Sequence, residues 1–246
     1  ENRKPQEKMI QILICNLETW SDVMTAISFK TYNVPTTFVY ALIPAAVALN
    51  VVGSFINHTL KLPMFLDMIG TAVVAITIGP WWGVLAGIMT NTTLGFLTGP
   101  ISLPFAACNA IGALVWGYGV RWGFGKTFPR FFLLSLLVAL FVTLMAVPIY
   151  VFVFGGATGH FSDVMTASLV GMGQRLGVAV FSSNIIVSLA DKIISSFIAL
   201  AVIEALPPAL TAHLDIVKAP KLHLVLWIAL ATVLSVALAV FVSSAG

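Results

Sequence analysis

Charged side chains are scarce in this sequence. Asp, Glu, Lys and Arg together make up 9% of its 246 residues, whereas soluble domains carry about 25%. Hydrophobic residues make up 59%, so most of the surface of the folded chain must face something other than water. A soluble globular domain is therefore excluded. The net charge of +3 comes from basic residues between apolar runs, as in the cytoplasmic loops of membrane proteins, and we expect no nucleic-acid partner.

Reactive and metal-binding side chains are also few. The two cysteines, Cys15 and Cys108, lie far apart in the sequence and predict neither a disulfide framework nor a metal site. The sequence contains no HExxH motif, no Cys/His cluster and no Ser-His-Asp order, which leaves little for an enzyme to work with. We therefore predict a non-catalytic protein with no cofactor and no metal.

A phosphate-binding loop is absent as well. Gly125-Lys126-Thr127 resembles the end of a Walker A motif, but that motif needs a second glycine five residues before Gly125, and the residue there is Val120. No predicted strand precedes the tripeptide either. We expect any ATP used with this chain to be hydrolysed by another polypeptide.

Long apolar runs dominate what is present. A transmembrane helix needs about 20 largely apolar residues, whereas a closed β-barrel, the other structure that spans a bilayer, would show short alternating strands. We therefore predict an all-α integral membrane protein. The predicted spans cover residues 37–55, 64–78, 82–97, 104–120, 131–154, 184–206 and 223–242, and residues 161–183 are predicted to form a loop that holds a helix.

The residues before the first span have a different pattern. From Ile10 to Ile27 apolar residues recur every three or four positions, which predicts an amphipathic helix over residues 6–29. Asn16, Glu18 and Asp22 make it too polar to cross a bilayer. It would lie on the membrane, on a partner or on the spans of this chain.

The predicted elements divide the chain into three parts. Residues 1–36 form the amphipathic N-terminal segment, residues 37–208 a six-helix membrane core, and residues 209–246 a linker with the seventh span. Most Lys and Arg residues fall in the segments that are cytoplasmic if the N-terminus is cytoplasmic, which predicts that orientation.

Four polar residues stand out within the predicted spans, namely Asp67, Asn91, Asn109 and Asn184. A polar group in hydrocarbon is costly unless it has a partner or lines a cavity. In the predicted orientation all four lie near the middle or in the outer half of the membrane. Their common depth predicts a binding pocket that opens outward. Two alternatives remain open: each Asn could form an interhelical hydrogen bond, and Asp67 could cap its helix.

Small residues form a stripe on the first span. Ala41, Ala45 and Ala48 share one helical face, where another helix could approach closely. That helix could belong to this chain or to a partner, and the spacing does not distinguish between them.

Several runs resemble a known family. They are LPMFLDMIGT at residues 62–71, GPWWGVLAG at 79–87 followed by Thr90-Asn91, FGGATG at 154–159, and DKII at 191–194 ahead of Leu206-Pro207. In this order they are similar to the S components of energy-coupling factor (ECF) transporters, over about residues 37–208. The runs around Asp67 and Gly79-Pro80 are the most specific.

The resemblance implies a function. ECF S components are six-helix membrane proteins that bind a vitamin or related micronutrient in an outward-facing pocket. They dock on a membrane-embedded T component with two cytoplasmic ATPase subunits, and they are thought to topple so that the pocket opens inward. The resemblance thus implies a multi-pass protein of the plasma membrane of a prokaryote. Ala41 and Ala45 match the docking surface of the family, and we predict Ala41, Ala45 and Ala48 as the docking face.

The resemblance also extends the candidate site. The family builds its pocket from outer loops and from the outer ends of later helices, and Asn57, His160 and Gln174 complete our set of candidate substrate-binding residues. Residues 155–175 are predicted to act as a lid, because their glycine-rich start has backbone freedom.

The sequence also permits a different class of transport protein. The chain could be a self-contained secondary transporter or channel, although no coupling-ion site or inverted repeat is clear. The seventh span and the N-terminal segment are additions to the family core. A heterocyclic vitamin, cobalamin and a queuosine-type precursor are all permitted as ligands.

Overall fold

The computed structural model describes residues 34–218 together with Ala229, Val233 and Ala237. The amphipathic helix predicted at residues 6–29 therefore lies outside the described residues. So does the seventh span predicted at residues 223–242, apart from those three positions.

Every regular element between residues 34 and 218 is helical, which confirms the all-α class. Short 3-10 and π-helical turns at Pro100–Ser102, Val120–Phe124 and Ile149–Val153 join or extend the helices. The α-helices are α1 Thr36–Leu60, α2 Ile69–Thr77, α3 Pro80–Thr98, α4 Ala106–Gly119, α5 Phe128–Pro148, α6 Ser162–Gly171, α7 Leu176–Ala205 and the single turn α8 Pro208–Thr211.

Three of the described helices are long and apolar enough to cross a membrane. They are Thr36–Leu60, Phe128–Val153, which joins α5 to the π-helical turn after it, and Leu176–Ala205, with mean hydropathies of 2.0, 2.7 and 2.0 in their most apolar windows. A segment of this length and composition is typical of a transmembrane helix. The chain is therefore a membrane protein.

The helix in the second predicted span is shorter than predicted. Helix α2 has only nine residues, a length of about 14 Å, less than the hydrocarbon core of about 30 Å. Residues 61–68, here called the 61–68 segment, are irregular instead of helical. The prediction of one helix over residues 64–78 is thus wrong in its first third.

Helix α2 is the buried centre of the bundle. All nine of its residues are buried, because α1, α3, α4 and α7 all pack against it. A helix that is apolar on every side is stable only when it is enclosed in this way. The outer helices pair around it, with α3 on α4, α4 on α5 and α5 on α7.

Two glycines let backbones meet at the centre of the bundle. A Cβ atom on Gly70 of α2 would lie 2.1 Å from the carbonyl oxygen of Ala46 in α1. A Cβ atom on Gly53 of α1 would lie 2.0 Å from the carbonyl oxygen of Leu66. Real Cβ contacts are never this short, so α1 packs closely on α2 and on the 61–68 segment only because both positions are glycine.

Gly70→Ala should therefore strongly destabilise the protein. Adding a methyl group to a filled core costs about 1–3 kcal/mol, and we expect a loss of about 3 kcal/mol because the clashing atom belongs to the backbone. Gly177→Ala is the matched control: a Cβ atom there meets nothing within 4 Å, and alanine favours the helix by about 0.5–1 kcal/mol. Thermal unfolding in detergent measures both. Equal midpoints for Gly70→Ala and the parent protein would contradict the packing argument.

Candidate functional site

One cavity gathers most of the predicted site residues. Its volume is about 180 Å³, and its walls come from α1, the 61–68 segment, α3, α4, α5, the loop before α6, and α7. Six of the seven predicted substrate-binding residues line it: Asn57, Asp67, Asn91, Asn109, His160 and Asn184. Polar residues that are far apart in sequence therefore meet at one place in the bundle.

Gln174 is the exception. It is exposed in the turn between α6 and α7, where its backbone N–H donates to the carbonyl oxygen of Leu169, and it does not line the cavity. The turn places Gln174 at the surface of the protein, outside this cavity, so its role in binding stays a prediction.

Asn91 and Asn109 use their amide groups on each other and on the bundle. Asn109 Nδ2 donates to Asn91 Oδ1 at 2.6 Å, and Asn109 Oδ1 accepts from the Thr71 hydroxyl at 2.8 Å. Asn91 Nδ2 donates to the carbonyl oxygen of Ser102 at 2.9 Å. The interhelical role left open by the sequence therefore describes both residues, which form the wall of the cavity and join α2, α3 and α4.

A further amide, which sequence reasoning missed, extends this network to α1. Asn50 Nδ2 donates to the hydroxyls of Thr71 and Thr90 at 2.9 and 3.0 Å, and Asn50 Oδ1 accepts from the Gly70 N–H at 2.6 Å. The N–H of Gly70 lies in the first turn of α2, where it has no intrahelical partner. Asn50 thus supplies the hydrogen bond that the start of α2 needs.

Asn184 differs from the other amides because one of its polar atoms has no partner. Its Nδ2 donates to the carbonyl oxygen of Val180 at 3.0 Å, which fixes the orientation of the amide. Its Oδ1 is buried and accepts no hydrogen bond within the described residues. Since α7 begins at Leu176, Asn184 lies two turns inside the helix and not at its start. An orphaned buried acceptor costs about 1–3 kcal/mol, so it indicates a place where a ligand could donate.

Two charged residues on α7, which the sequence analysis did not include in the site, lie beside the cavity. Asp191 and Lys192 are almost fully buried and form an ion pair. The other carboxylate oxygen of Asp191 accepts from the N–H groups of Phe65 and Leu66 at 3.0 and 2.8 Å. Buried charges are tolerated when they are paired and hydrogen-bonded in this way. Lys192 lines the cavity, and Asp191 fixes the irregular segment opposite.

Asp67 lies in that segment, directly after Leu66, and lines the cavity. Helix α2 begins at Ile69, its N-cap residue is Met68, and no side chain caps it, so the alternative that Asp67 is a helix cap is wrong. The described residues contain no ion pair to Asp67: the two salt bridges there join Lys126 to Asp215 and Lys192 to Asp191. Its carboxylate is therefore available to the cavity.

The spacing of polar residues along α7 could have identified Lys192 as a cavity residue. Asn184, Ser188 and Lys192 occupy positions i, i+4 and i+8 of α7, and all three line the cavity. Residues at this spacing share one helical face. The sequence analysis missed this spacing because it began the span at residue 184. Asn184 was then the first residue of the helix, and Lys192 lay near the membrane surface.

The loop before α6 covers the cavity. Thr158, Gly159 and His160 line it, and Asp163 Oδ2 accepts from the N–H groups of Thr158 and Gly159 at 2.7 and 2.6 Å. Gly156 has φ +102, and a Cβ atom there would lie 2.7 Å from the Leu176 side chain. The glycine at this position is therefore required for the loop to fold back over the bundle.

His160 attaches this loop to the opposite wall. Its ring lies parallel to that of Phe65, with centroids 4.4 Å apart. Its Nε2 lies 3.1 Å from the carbonyl oxygen of Met64 and 3.4 Å from Asn57 Nδ2. One side chain thus joins the loop to α1 and to the 61–68 segment, so residues 155–161 are placed as a cover whose opening would require the His160 contacts to break.

Aromatic rings form part of the cavity wall. Phe65 stacks with His160, and Phe105 contacts Tyr150 at 5.1 Å between ring centroids and Phe154 at 5.7 Å. Phe65, His160, Phe105 and Tyr150 all line the cavity. Such faces bind planar apolar groups, while nearby polar atoms set orientation.

The predicted docking residues lie elsewhere on α1. Ala41, Ala45 and Ala48 are exposed, whereas Ala46 is buried against α2. Within the described residues, no helix of this chain covers the stripe of small residues.

Comparisons with known proteins add no assignment: no family model, no curated protein and no solved structure matches this chain.

The cover should open as the pH falls. Removal of the ring from water lowers the pKa of His160 below its usual 6.5, despite opposing effects of the Met64 carbonyl, Asp163 and Asp191. The closed cover therefore favours neutral His160, so its stability is fully present above pH 6.5 and declines as the pH falls below that value. Hydrogen exchange of residues 155–161, corrected for intrinsic rates, should show this loss of protection.

His160→Phe provides the control for that measurement. Phenylalanine keeps an aromatic ring against Phe65 but cannot take up a proton, so the corrected exchange should no longer depend on pH. A pH dependence that persists in His160→Phe would show that another group controls the cover.

Proposed function

We propose that this chain is the substrate-binding S component of an ECF-type importer. It captures a small vitamin-like molecule from outside the cell without catalysing any reaction. It then docks on a T component whose two cytoplasmic ATPase subunits supply the energy. The observation that carries this proposal is a cavity in an apolar bundle, lined by polar residues from four helices, α1, α3, α4 and α7, and bordered by a glycine-rich loop.

The position of the cavity supports capture from outside. Its lining comes from the later residues of α1 and α3, the earlier residues of α4 and α7, and the end of α5. The basic stretch from Arg121 to Arg130 follows the far end of α4, away from the cavity. By the positive-inside rule that stretch is cytoplasmic, and the cavity then opens to the exterior. The proposal therefore includes a cytoplasmic N-terminus. It also includes a multi-pass location in the plasma membrane of a prokaryote.

The volume of the cavity narrows the ligands that the sequence permitted. An engineered cavity of about 150 Å³ binds benzene, and the cavity here has about 180 Å³. A compound with one ring and short substituents fits this volume. Cobalamin, which is many times larger, does not fit the conformation described.

The arrangement of charge supports rotation within lipid. Lys192 and Asp191 pair inside the bundle, while the exposed faces of α1 and α5 carry large apolar side chains such as Phe55, Phe141 and Leu144. An unpaired charge at the bilayer centre costs about 2.5 kcal/mol or more on insertion scales. An exterior without such charges could tilt in the membrane at low energetic cost.

Reconstitution tests the proposal directly. In proteoliposomes the chain alone should bind the molecule that co-purifies with it but should not accumulate it, with or without an ion gradient. Uptake should begin when a T component, both ATPases and ATP are added. Accumulation by the chain alone under an ion gradient would instead establish a secondary transporter.

Ala41→Trp and Ala45→Trp should abolish docking. Close approach of two helices in lipid depends on small residues at the contact, and an indole ring would separate them, so co-purification with the T component should fall at least about tenfold. Ala201→Trp is the matched control, because Ala201 is an exposed alanine on another helix, α7. Normal co-purification of the two α1 variants would show that this face is not the docking face.

A further inference from the structure

The cavity contains two acceptor groups, on Asn184 and Asp67, that no other described residue engages by a hydrogen bond or a salt bridge. Asn184 Oδ1 is buried without a partner, and the Asp67 carboxylate takes part in neither of the ion pairs of the described residues. Both residues line the same space. The other buried amides, in contrast, are engaged by protein groups, as the bonds of Asn50, Asn91 and Asn109 show. The polar atoms left for a ligand are therefore mainly acceptors.

The charges around the cavity also favour a ligand that donates hydrogen bonds. Two carboxylates, Asp67 and Asp191, stand against one ammonium group, Lys192. Asp191 lies directly on Lys192 and offsets its charge, which leaves Asp67 as the acidic group that a ligand meets in the cavity. An anionic ligand would be repelled in a site of low dielectric constant, and a cationic or donor-rich one would be attracted.

Lys192 supplies a hydrogen-bond donor to the same cavity. An ammonium group has three N–H donors, and the bond to Asp191 takes one of them. A ligand acceptor can therefore sit next to the donors that pair with Asp67 and Asn184. Phe65 and Phe105 line the same cavity. His160 covers one face of Phe65 and Phe154 one face of Phe105, so a flat ligand ring packs against their edges and remaining surface while its own edge makes these hydrogen bonds.

From these contacts we infer that the site binds a planar nitrogen heterocycle that carries amino groups. Its N–H groups donate to Asp67 and Asn184, and a ring nitrogen accepts from Lys192. The inference rests on the proposed function, since it names the substrate class of the same cavity, and it excludes carboxylate-bearing rings as substrates.

Three probes of one ring size separate this class from its competitors. Diaminopyrimidine offers amino donors and ring acceptors, uracil presents carbonyl oxygens on the same ring, and nicotinate carries a negative charge. Calorimetric titration of the full chain in detergent should show that diaminopyrimidine binds at least about tenfold more tightly than uracil, and nicotinate should not bind. No binding of diaminopyrimidine, or equal binding of nicotinate, would overturn the inference.

Variants assign the binding to the two acceptors. Asp67→Asn should weaken diaminopyrimidine binding about tenfold, because it removes the negative charge. Asn184→Leu should weaken it similarly, yet raise the unfolding midpoint of the ligand-free protein, because it removes an unsatisfied buried acceptor. A purely structural role for Asn184 predicts lower stability instead.

Ser195→Ala is the matched control on the same helix. Ser195 Oγ is also buried without a partner, but Ser195 does not line the cavity. Its removal should raise the unfolding midpoint and leave diaminopyrimidine affinity unchanged. Should Asn184→Leu fail to fold, Asp67→Asn decides the matter alone, and unchanged affinity in that variant refutes the assignment.

This test and the test of the proposed function can fail separately. Diaminopyrimidine binding without ATP-dependent uptake in the reconstituted system would leave the substrate class intact and refute the importer. ATP-dependent uptake of a co-purified carboxylate-bearing compound would support the importer and refute the inferred substrate class.

Discussion

A buried carboxylate on α7 holds an irregular stretch of backbone inside the bundle, and the cavity depends on this contact. Asp191 accepts the N–H groups of Phe65 and Leu66 and pairs with Lys192. Unpaired backbone groups within a membrane protein cost several kcal/mol each unless the protein satisfies them. The carboxylate removes this cost at the point where Leu66 adopts φ +56. The same segment then presents Phe65, Asp67 and Met68 to the cavity.

The polar residues of the bundle fall into two groups with different roles. One group forms a continuous chain of hydrogen bonds from Asn50 through Thr71 and Asn109 to Asn91, which joins α1, α2, α3 and α4. The other group keeps hydrogen-bonding capacity for a ligand, and Asp67 and Asn184 belong to it. The first group fixes the shape of the cavity, so that the second group is held in place before anything binds. Such preorganisation lowers the entropic cost of binding.

The proposed transport cycle places opposite demands on the two sides of the protein. The interior must hold charges and amides at fixed positions, whereas the exterior must remain apolar so that the subunit can move in lipid. Helix α1 meets both demands along its length: Asn50, Ser54 and Asn57 are buried toward the bundle, and Ala41, Ala45 and Ala48 are exposed. On this view one helix connects the binding site with the docking face, and the loop held by His160 closes one side of the cavity.

The sequence by itself determined the helical class, the membrane environment and the meeting of polar residues in one region, because hydrophobicity and helical spacing are local properties of the chain. It could not determine which polar atoms would be consumed within the protein. Asn91 and Asn109 pair with each other, Asn184 does not, and Asp67 lies outside any helix; these outcomes depend on how the helices are rotated and shifted against one another. That register is set by contacts between residues far apart in sequence, such as Gly70 on Ala46 and Asp191 on Leu66. Only the tertiary structure, therefore, decided which side chains remain available to a ligand.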